Sequence, residues 1–301
     1  MDKNPVSLIK TEDIITSGWM DYELLDSGAY KKLERFGKRL IVRTEPAAEW
    51  KPALSTAEWD RADAEFSIEK GKYQGVWTKR ENLPLIWKVD FKGLQINLFI
   101  SGSRHIGIFP EQHAQWDWIE QKVKKSGSAL SILNLFGYTG VSTLAASRAG
   151  AIVTHVDASK SAVGWAKKNH EASGLSDHPL RWMVDDAFKF VQREIRRGKR
   201  YDAIIMDPPS FGRGPNGEVW KFDKAISALL TSCLQILSNN PRFFIITAYN
   251  VNCQASDLGN WLGQTMSGFS GKTTYGELIQ KEKSAGRKIH QAIYSRWEGK
   301  D

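Results

Sequence analysis

Cysteine is scarce in this 301-residue chain: Cys233 and Cys253 alone cannot build a disulfide framework. So low a count suits a reducing compartment. No stretch approaches the roughly 18 apolar residues that a membrane-spanning helix requires, so no membrane span is expected. Residues 1–10 lack the apolar centre of a secretory leader, and the expected location is the cytoplasm. The six histidines are not spaced with cysteines or acids as metal ligands are, so no metal is expected. Internal repeats and low-complexity segments are missing as well.

What the chain does carry is positive charge, a formal +8 with a pI near 9.3. Basic side chains displace counterions condensed on phosphates, so the excess favours a polyanionic partner. Three clusters hold much of it: Lys31, Lys32, Arg35, Lys38 and Arg39; Arg193, Arg196, Arg197, Lys199 and Arg200; and Lys281, Lys283, Arg287 and Lys288. Each cluster taken singly reads better as a solvated helix face or loop.

Two regions differ in pattern. Seven of the twelve tryptophans lie before position 120. In the same region Lys38–Thr44 alternates like a strand, and Trp87–Phe91 and Leu94–Ile100 alternate around Lys92-Gly93, a hairpin signature. These features predict a small β-rich α+β domain over 1–110, with a helix near 111–125 leading into a second domain over 111–301. From residue 128 strand and helix alternate. The strands are predicted at Ala129–Phe136, Ile152–Val156, Leu180–Val184, Tyr201–Met206, Arg242–Thr247, Thr273–Gln280 and His290–Trp297. Such alternation specifies an α/β fold, a doubly wound, mostly parallel seven-stranded sheet with helices on both faces. The last two strands, joined by a short polar loop, are expected as an antiparallel pair at one edge.

Ligands of open α/β sheets bind at the carboxyl ends of the strands, which directs attention to four segments. The first strand ends in Asn134-Leu135-Phe136-Gly137-Tyr138-Thr139-Gly140, where two glycines permit a sharp turn ahead of a helix N-terminus. The second ends in Val156-Asp157-Ala158. An acid about twenty residues after a glycine turn is placed to accept hydrogen bonds from ribose hydroxyls, although Asp157 would also serve as a helix N-cap. The third ends in Asp185-Asp186-Ala187-Phe188. A carboxylate there suits an exocyclic adenine amine, with an N-cap again the plain alternative; Asp186 is preferred over Asp185. The fourth ends in Asp207-Pro208-Pro209-Ser210-Phe211. Two consecutive prolines give a rigid, extended backbone without amide donors, an arrangement that a purely structural turn rarely needs.

Together these residues resemble the class I, Rossmann-like S-adenosylmethionine methyltransferases, and more narrowly the ribosomal RNA large-subunit methyltransferase-like family, over about residues 105–250. NLFGYTG is similar to the family's glycine turn, HVDAS to its ribose acid, DDAFKF to its adenine acid and DPPSF to its catalytic motif. Gly107–His113 resembles the short segment that precedes the domain, with Glu111 and His113 where the family carries aspartate and arginine. The resemblance implies S-adenosylmethionine as cofactor and RNA, with ribosomal RNA favoured, as partner. It implies that Asn134, Phe136, Gly137, Thr139 and Gly140 line the cofactor's methionine side, with Glu111 and Tyr138 as further cofactor-binding residues. It further implies that Asp157 and Ala158 hold the ribose, Asp186 and Ala187 the adenine, and that Asp207, Pro208 and Pro209 face the reaction centre. Residues 1–110 would then be a substrate-recognition appendage.

The methylated atom follows from what surrounds it. A carboxylate and carbonyls at the Asp-Pro-Pro turn suit an amine nucleophile, whose developing positive charge they stabilise. Carbon 5 of cytosine instead needs a cysteine that adds to the ring, and the strand ending Thr247-Ala248-Tyr249-Asn250 carries none; Cys253 lies just beyond. Phe211 and Tyr249 are the residues placed to stack a flipped base. Competing readings are a methyltransferase for a protein or small molecule and, more distantly, a nicotinamide-dependent oxidoreductase. The last lacks its third glycine, since Ser142 and Thr143 follow Gly140.

Overall fold

A computed structural model describes residues 8–68 and 75–300. Residues 1–7, on which most of the leader reading rests, lie outside them. The chain divides into two compact units, one of residues 1–14, 114–278 and 291–301, the other of 15–113 and 279–290. Instead of one cut near residue 110, the larger unit takes in the N-terminal strand, and the smaller one takes in the tip of the C-terminal hairpin.

The larger unit is α/β. Its sheet runs Leu8–Thr11, Gly271–Lys281, Lys288–Gly299, Phe243–Ala248, Ala203–Met206, Ser131–Leu135, Ile152–Asp157, Leu180–Val184. The central five strands are mutually parallel, and Lys288–Gly299 runs antiparallel to Phe243–Ala248. The last two strands are therefore not the edge that the sequence suggested. Leu8–Thr11 pairs in parallel with residues 272–275 and takes the outer position; it is too short and polar to read as a strand from pattern alone.

The apolar runs of the central strands have a simple cause. Leu133, Leu135, Ile204, Met206, Phe244 and Ile246 point to one face, into a core shared with Phe190, Leu229, Leu230 and Leu258. Ile132, Val153, Ala203, Ile205, Phe243 and Ile245 point to the other, against Ile119, Val123 and Ala146. Strands covered by helices on both sides cannot alternate with polar residues. Each Val, Leu, Ile, Met or Phe side chain among them contributes about 1.5–3 kcal/mol by leaving water.

The smaller unit holds a five-stranded sheet, Tyr22–Gly28, Lys31–Phe36, Arg39–Thr44, Ala64–Ile68 and Gly75–Lys79, and a hairpin, Ile86–Phe91 with Leu94–Phe99. The hairpin turns at Lys92 and Gly93, both at positive φ (51° and 90°), as a two-residue I′ turn requires. Glu34 is fully buried here. It accepts from both Nε and a terminal nitrogen of Arg43 at 2.7 Å and from the Tyr22 hydroxyl at 2.8 Å. Removing Arg43 leaves the buried Glu34 charge with only the more distant Lys32 ammonium, 3.7 Å away, as counter-charge, and loss of one partner of a buried pair costs about 3–5 kcal/mol. Arg43→Met should therefore lower the urea stability of this unit by roughly that amount. Glu65→Ala, which breaks a half-exposed pair with Lys31, should cost less than about 1 kcal/mol; equal losses would contradict this ranking.

Candidate active site

Parallel register brings four strand ends level. Leu135 stands opposite both Val156 and Met206, and Asp157 opposite Val184. The residues that follow, Phe136, Asp157, Asp185 and Asp207, thus emerge side by side on one edge of the larger unit.

The first of these segments is a strained turn. Phe136 and Tyr138 have φ of 56° and 49°, a region that side chains other than glycine seldom enter, and Gly140 lies at 88° as N-cap of helix Val141–Arg148. Two contacts explain the glycines. A Cβ at Gly137 would lie 2.6 Å from Nδ1 of His155, and one at Gly140 would lie 2.8 Å from the Cβ of Ala166. The turn is fastened by Gly137 N–H to the Val156 carbonyl (3.0 Å) and Gly140 N–H to the Gly137 carbonyl (2.9 Å). Asn169, buried, donates from Nδ2 to the Thr139 carbonyl at 3.0 Å.

Beneath the turn lies a buried polar chain. Asn134 donates from Nδ2 to Thr143 Oγ1 at 2.8 Å, and Thr143 Oγ1 lies 2.9 Å from Nδ1 of His155. The Thr143 oxygen has two lone pairs as well as a proton, so while accepting from Asn134 it can bond to either tautomer of the neutral ring. Burial pushes His155 down to about 3, and the ring of Trp182 stands edge-on 5.0 Å away. Neither Thr143 nor His155 stands out in the sequence, because a histidine inside an apolar strand signals only a satisfied core residue.

Asp157, at the next tip, receives the backbone N–H of Tyr138 on one carboxylate oxygen and that of Ser159 on the other, both at 2.8 Å. Burial nonetheless holds its carboxyl above the usual range. Ala158 is half-buried beside it. At the third tip the two acids divide the work. Asp185 forms an ion pair with Arg193, while Asp186 caps its helix by accepting the Lys189 N–H at 2.9 Å. Ala187, the first residue of that helix, is buried.

Asp207 is half-buried at the fourth tip, with Pro208 buried and Pro209 exposed. A small hairpin, Phe211–Arg213 with Val219–Lys221, follows directly and was not expected from sequence. Trp220 donates its indole N–H to the Pro209 carbonyl at 2.6 Å and packs on Phe136, ring centres 5.0 Å apart. One tryptophan thus ties the double-proline turn to the glycine turn. Phe211 is 52% exposed, whereas Tyr249 is half-buried against Leu278, Ala292 and Tyr294. Glu111 is not on this edge's unit. It is buried in the smaller unit, 3.5 Å from Nε2 of Gln280, and burial raises its carboxyl. His113, in that unit too, places its ring nitrogens 3.0 Å from the Pro110 and Ser17 carbonyls.

The profile of the S-adenosylmethionine-dependent methyltransferases matches residues 43–231. The chain belongs to that family. Its cofactor is S-adenosylmethionine. A solved S-adenosylmethionine-dependent methyltransferase from Agrobacterium tumefaciens is 40% identical with a TM-score of 0.92, over 98% of this chain and 96% of that one. A methyltransferase crystallised with S-adenosylhomocysteine shares the fold at 21% identity and a TM-score of 0.68, covering 93% of this chain and 76% of its own. Among curated relatives, ribosomal RNA large subunit methyltransferase K of Neisseria meningitidis is 32% identical over 42% of this chain and 38% of its own length. Ribosomal RNA large subunit methyltransferase I of Photobacterium profundum is 32% identical over 51% and 38%. The chain thus spans under two fifths of the length of these curated relatives. Among the described residues no helix is long and apolar enough to cross a membrane.

The buried imidazole makes a pH test. The unfolded ring takes up a proton near its ordinary value of about 6.5, while the folded ring stays neutral down to about 3. Its contribution to stability is therefore full above the first value and is lost as pH falls towards the second. His155→Gln should unfold less steeply than wild type between these limits in acid titrations followed by denaturant melts. Parallel curves would contradict a neutral buried ring.

Proposed function

We propose that this methyltransferase modifies a base of RNA, ribosomal RNA favoured, at an amine nitrogen, using Asp207, Pro208 and Pro209 at the reaction centre. The carrying observation is the double-proline corner, held by Trp220 beside the glycine turn at the tips of parallel strands. When bound, S-adenosylmethionine supplies an electrophilic methyl group on a sulfonium.

The residues present fit that cofactor. Gly137 carries no side chain between the turn and His155, so the turn sits down on the ring, and Phe136, Gly137, Tyr138, Thr139 and Gly140 would meet the ligand on its other side. Asn134, held by Thr143, would stand below it. A carboxylate offers about four lone-pair sites, and the two N–H groups on Asp157 use one per oxygen. The other two are left for ribose hydroxyls, with Ala158 alongside. Asp186 spends one oxygen on its cap and keeps the other for the adenine amine, with Ala187 next to it at the start of the helix.

The Asp207 carboxylate accepts a hydrogen bond from the incoming amine, orients its lone pair and stabilises the positive charge that develops on nitrogen. The prolines keep that carboxylate from drifting by fixing its backbone. Tyr249 holds the flipped base, and Phe211 stacks on the RNA beside it. Addition of a thiolate to a pyrimidine is disfavoured by the cysteines themselves. Burial, with Asp257 and Asp223 nearby, pushes Cys253 up to about 11, and Cys233 is buried in the helical core. The RNA assignment rests on the names of the curated relatives and on the chain's net positive charge.

Asp207→Ala should abolish methyl transfer to RNA while leaving S-adenosylhomocysteine affinity within about tenfold, since its contact strengthens in the transition state. Methylated nucleosides, quantified by mass spectrometry in total RNA from a deletion strain complemented with either form, are the readout. Full restoration by the variant, or an RNA nucleoside profile unchanged by the deletion, would overturn the assignment.

A further inference from the structure

We infer that the outward face of the Phe211–Lys221 hairpin is a nucleic-acid platform that grips single-stranded RNA flanking the target base. The inference rests on the RNA reading above and names residues that neither the family resemblance nor the glycine turn points to: Arg213, Val219 and Lys221.

The argument begins with the hairpin's register. Phe211 pairs with Lys221, Gly212 with Trp220 and Arg213 with Val219. Alternation along each strand sends Gly212 and Trp220 to one side and the other four residues to the opposite side. The inner side is fixed. Trp220 is buried, bonded to the Pro209 carbonyl and packed on Phe136. Gly212 lies on the same inner side, where a Cβ would meet Pro209 Cγ at 3.4 Å, an ordinary van der Waals contact. The loop is fixed too, since Glu218 receives the Asn216 N–H at 2.9 Å and the Lys189 ammonium at 2.5 Å.

A rigid base thus carries an exposed checkerboard of one aromatic, one aliphatic and two cationic side chains. Phe211 and Val219 are 52% and 56% exposed, and Arg213 and Lys221 are exposed beside them. Other cations are unpaired too. In the three basic clusters Lys31, Lys32, Arg35, Arg39, Arg193, Arg197, Lys283 and Arg287 are paired with acids, while among the described residues no ion pair holds Lys38, Arg196, Lys199, Arg200, Lys281 or Lys288. What distinguishes Arg213 and Lys221 is their place around an exposed aromatic next to the Asp207 corner. Among the described residues neither Arg213 nor Lys221 makes an ion pair, and no acid lies among the four outward residues. Stacking surface interleaved with unneutralised cations is the chemistry that grips unpaired nucleotides: the aromatic takes a base and the cations take phosphates. Phe211 is two residues beyond Pro209, so a nucleotide bound here is next to one at the Asp207 corner.

The test uses the full chain with S-adenosylhomocysteine present and a fluorescent 20-nucleotide oligouridylate as probe, its anisotropy followed from 50 to 200 mM salt. Wild type should bind with an affinity that falls as salt rises. Arg213→Ala with Lys221→Ala should weaken binding at least tenfold at the lowest salt and flatten the log–log salt slope by about 1.4, two phosphate contacts at about 0.7 each. Phe211→Ala should weaken binding roughly fivefold or more with the slope unchanged, since stacking carries no counterions. S-adenosylhomocysteine affinity by calorimetry should match wild type in all variants, which certifies their fold. Variants that bind like wild type while wild type binds RNA would overturn the platform alone. A wild type with no salt-dependent RNA binding would overturn both the platform and the RNA reading. Methyl transfer into protein from a ribosomal lysate, lost in these variants, would reassign the face to a protein partner.

Discussion

The backbone of Gly137 rests on the imidazole of His155, so closely that one added methyl group would overlap the ring. Much of the candidate site is built on that contact. The turn above it holds two non-glycine residues at positive φ, each an uncommon and costly conformation that persists only where its surroundings over-determine it. The over-determination comes from Asn134 and Thr143 orienting the ring, from Asn169 gripping Thr139, and from the Asp157 carboxylate holding the Tyr138 amide. A histidine suits this place because burial keeps it neutral. A charged ring would need a counter-ion in the middle of the sheet.

In the smaller unit the buried carboxylates of Asp26, Glu34 and Glu282 are paired internally. Asp26, fully buried in the smaller unit, accepts from the Ala53 and Leu54 amides, the Trp59 indole, the Ser284 hydroxyl and Arg287. Arg287 also pairs with Glu282 and lies over the Trp50 ring. These bonds fasten residues 279–290 within that unit and explain why a continuous stretch of sequence is not the unit of folding there. A net charge of +8 is thus a poor guide to where a polyanion binds; what matters is which cations are left over once the internal pairs are made.

The α/β fold was legible because its strands are buried on both faces, and Ser131–Leu135, Ala203–Met206 and Phe243–Ala248 are runs of apolar residues that pattern alone detects. Strand tips were legible for a related reason. Glycines, an acid and a double proline stand out against apolar strands, and register then brings them level. Three features escaped. Leu8–Thr11 acquires its strand by pairing with residues 272–275, which no local pattern announces. The Phe211–Lys221 hairpin has strands of three residues, too short to show alternation. His155 and Thr143 matter through what they touch, and a contact between residues twelve positions apart on different elements has no signature in composition or spacing.

The central claim is that the level strand tips of the larger unit hold S-adenosylmethionine. Amide hydrogen exchange, measured with and without saturating S-adenosylhomocysteine, reads those tips residue by residue. The account predicts slowed exchange at the amides of residues 136–140 and at Ala158 and Ala187. Unchanged exchange along that edge, with the ligand shown by titration to be bound, would contradict it.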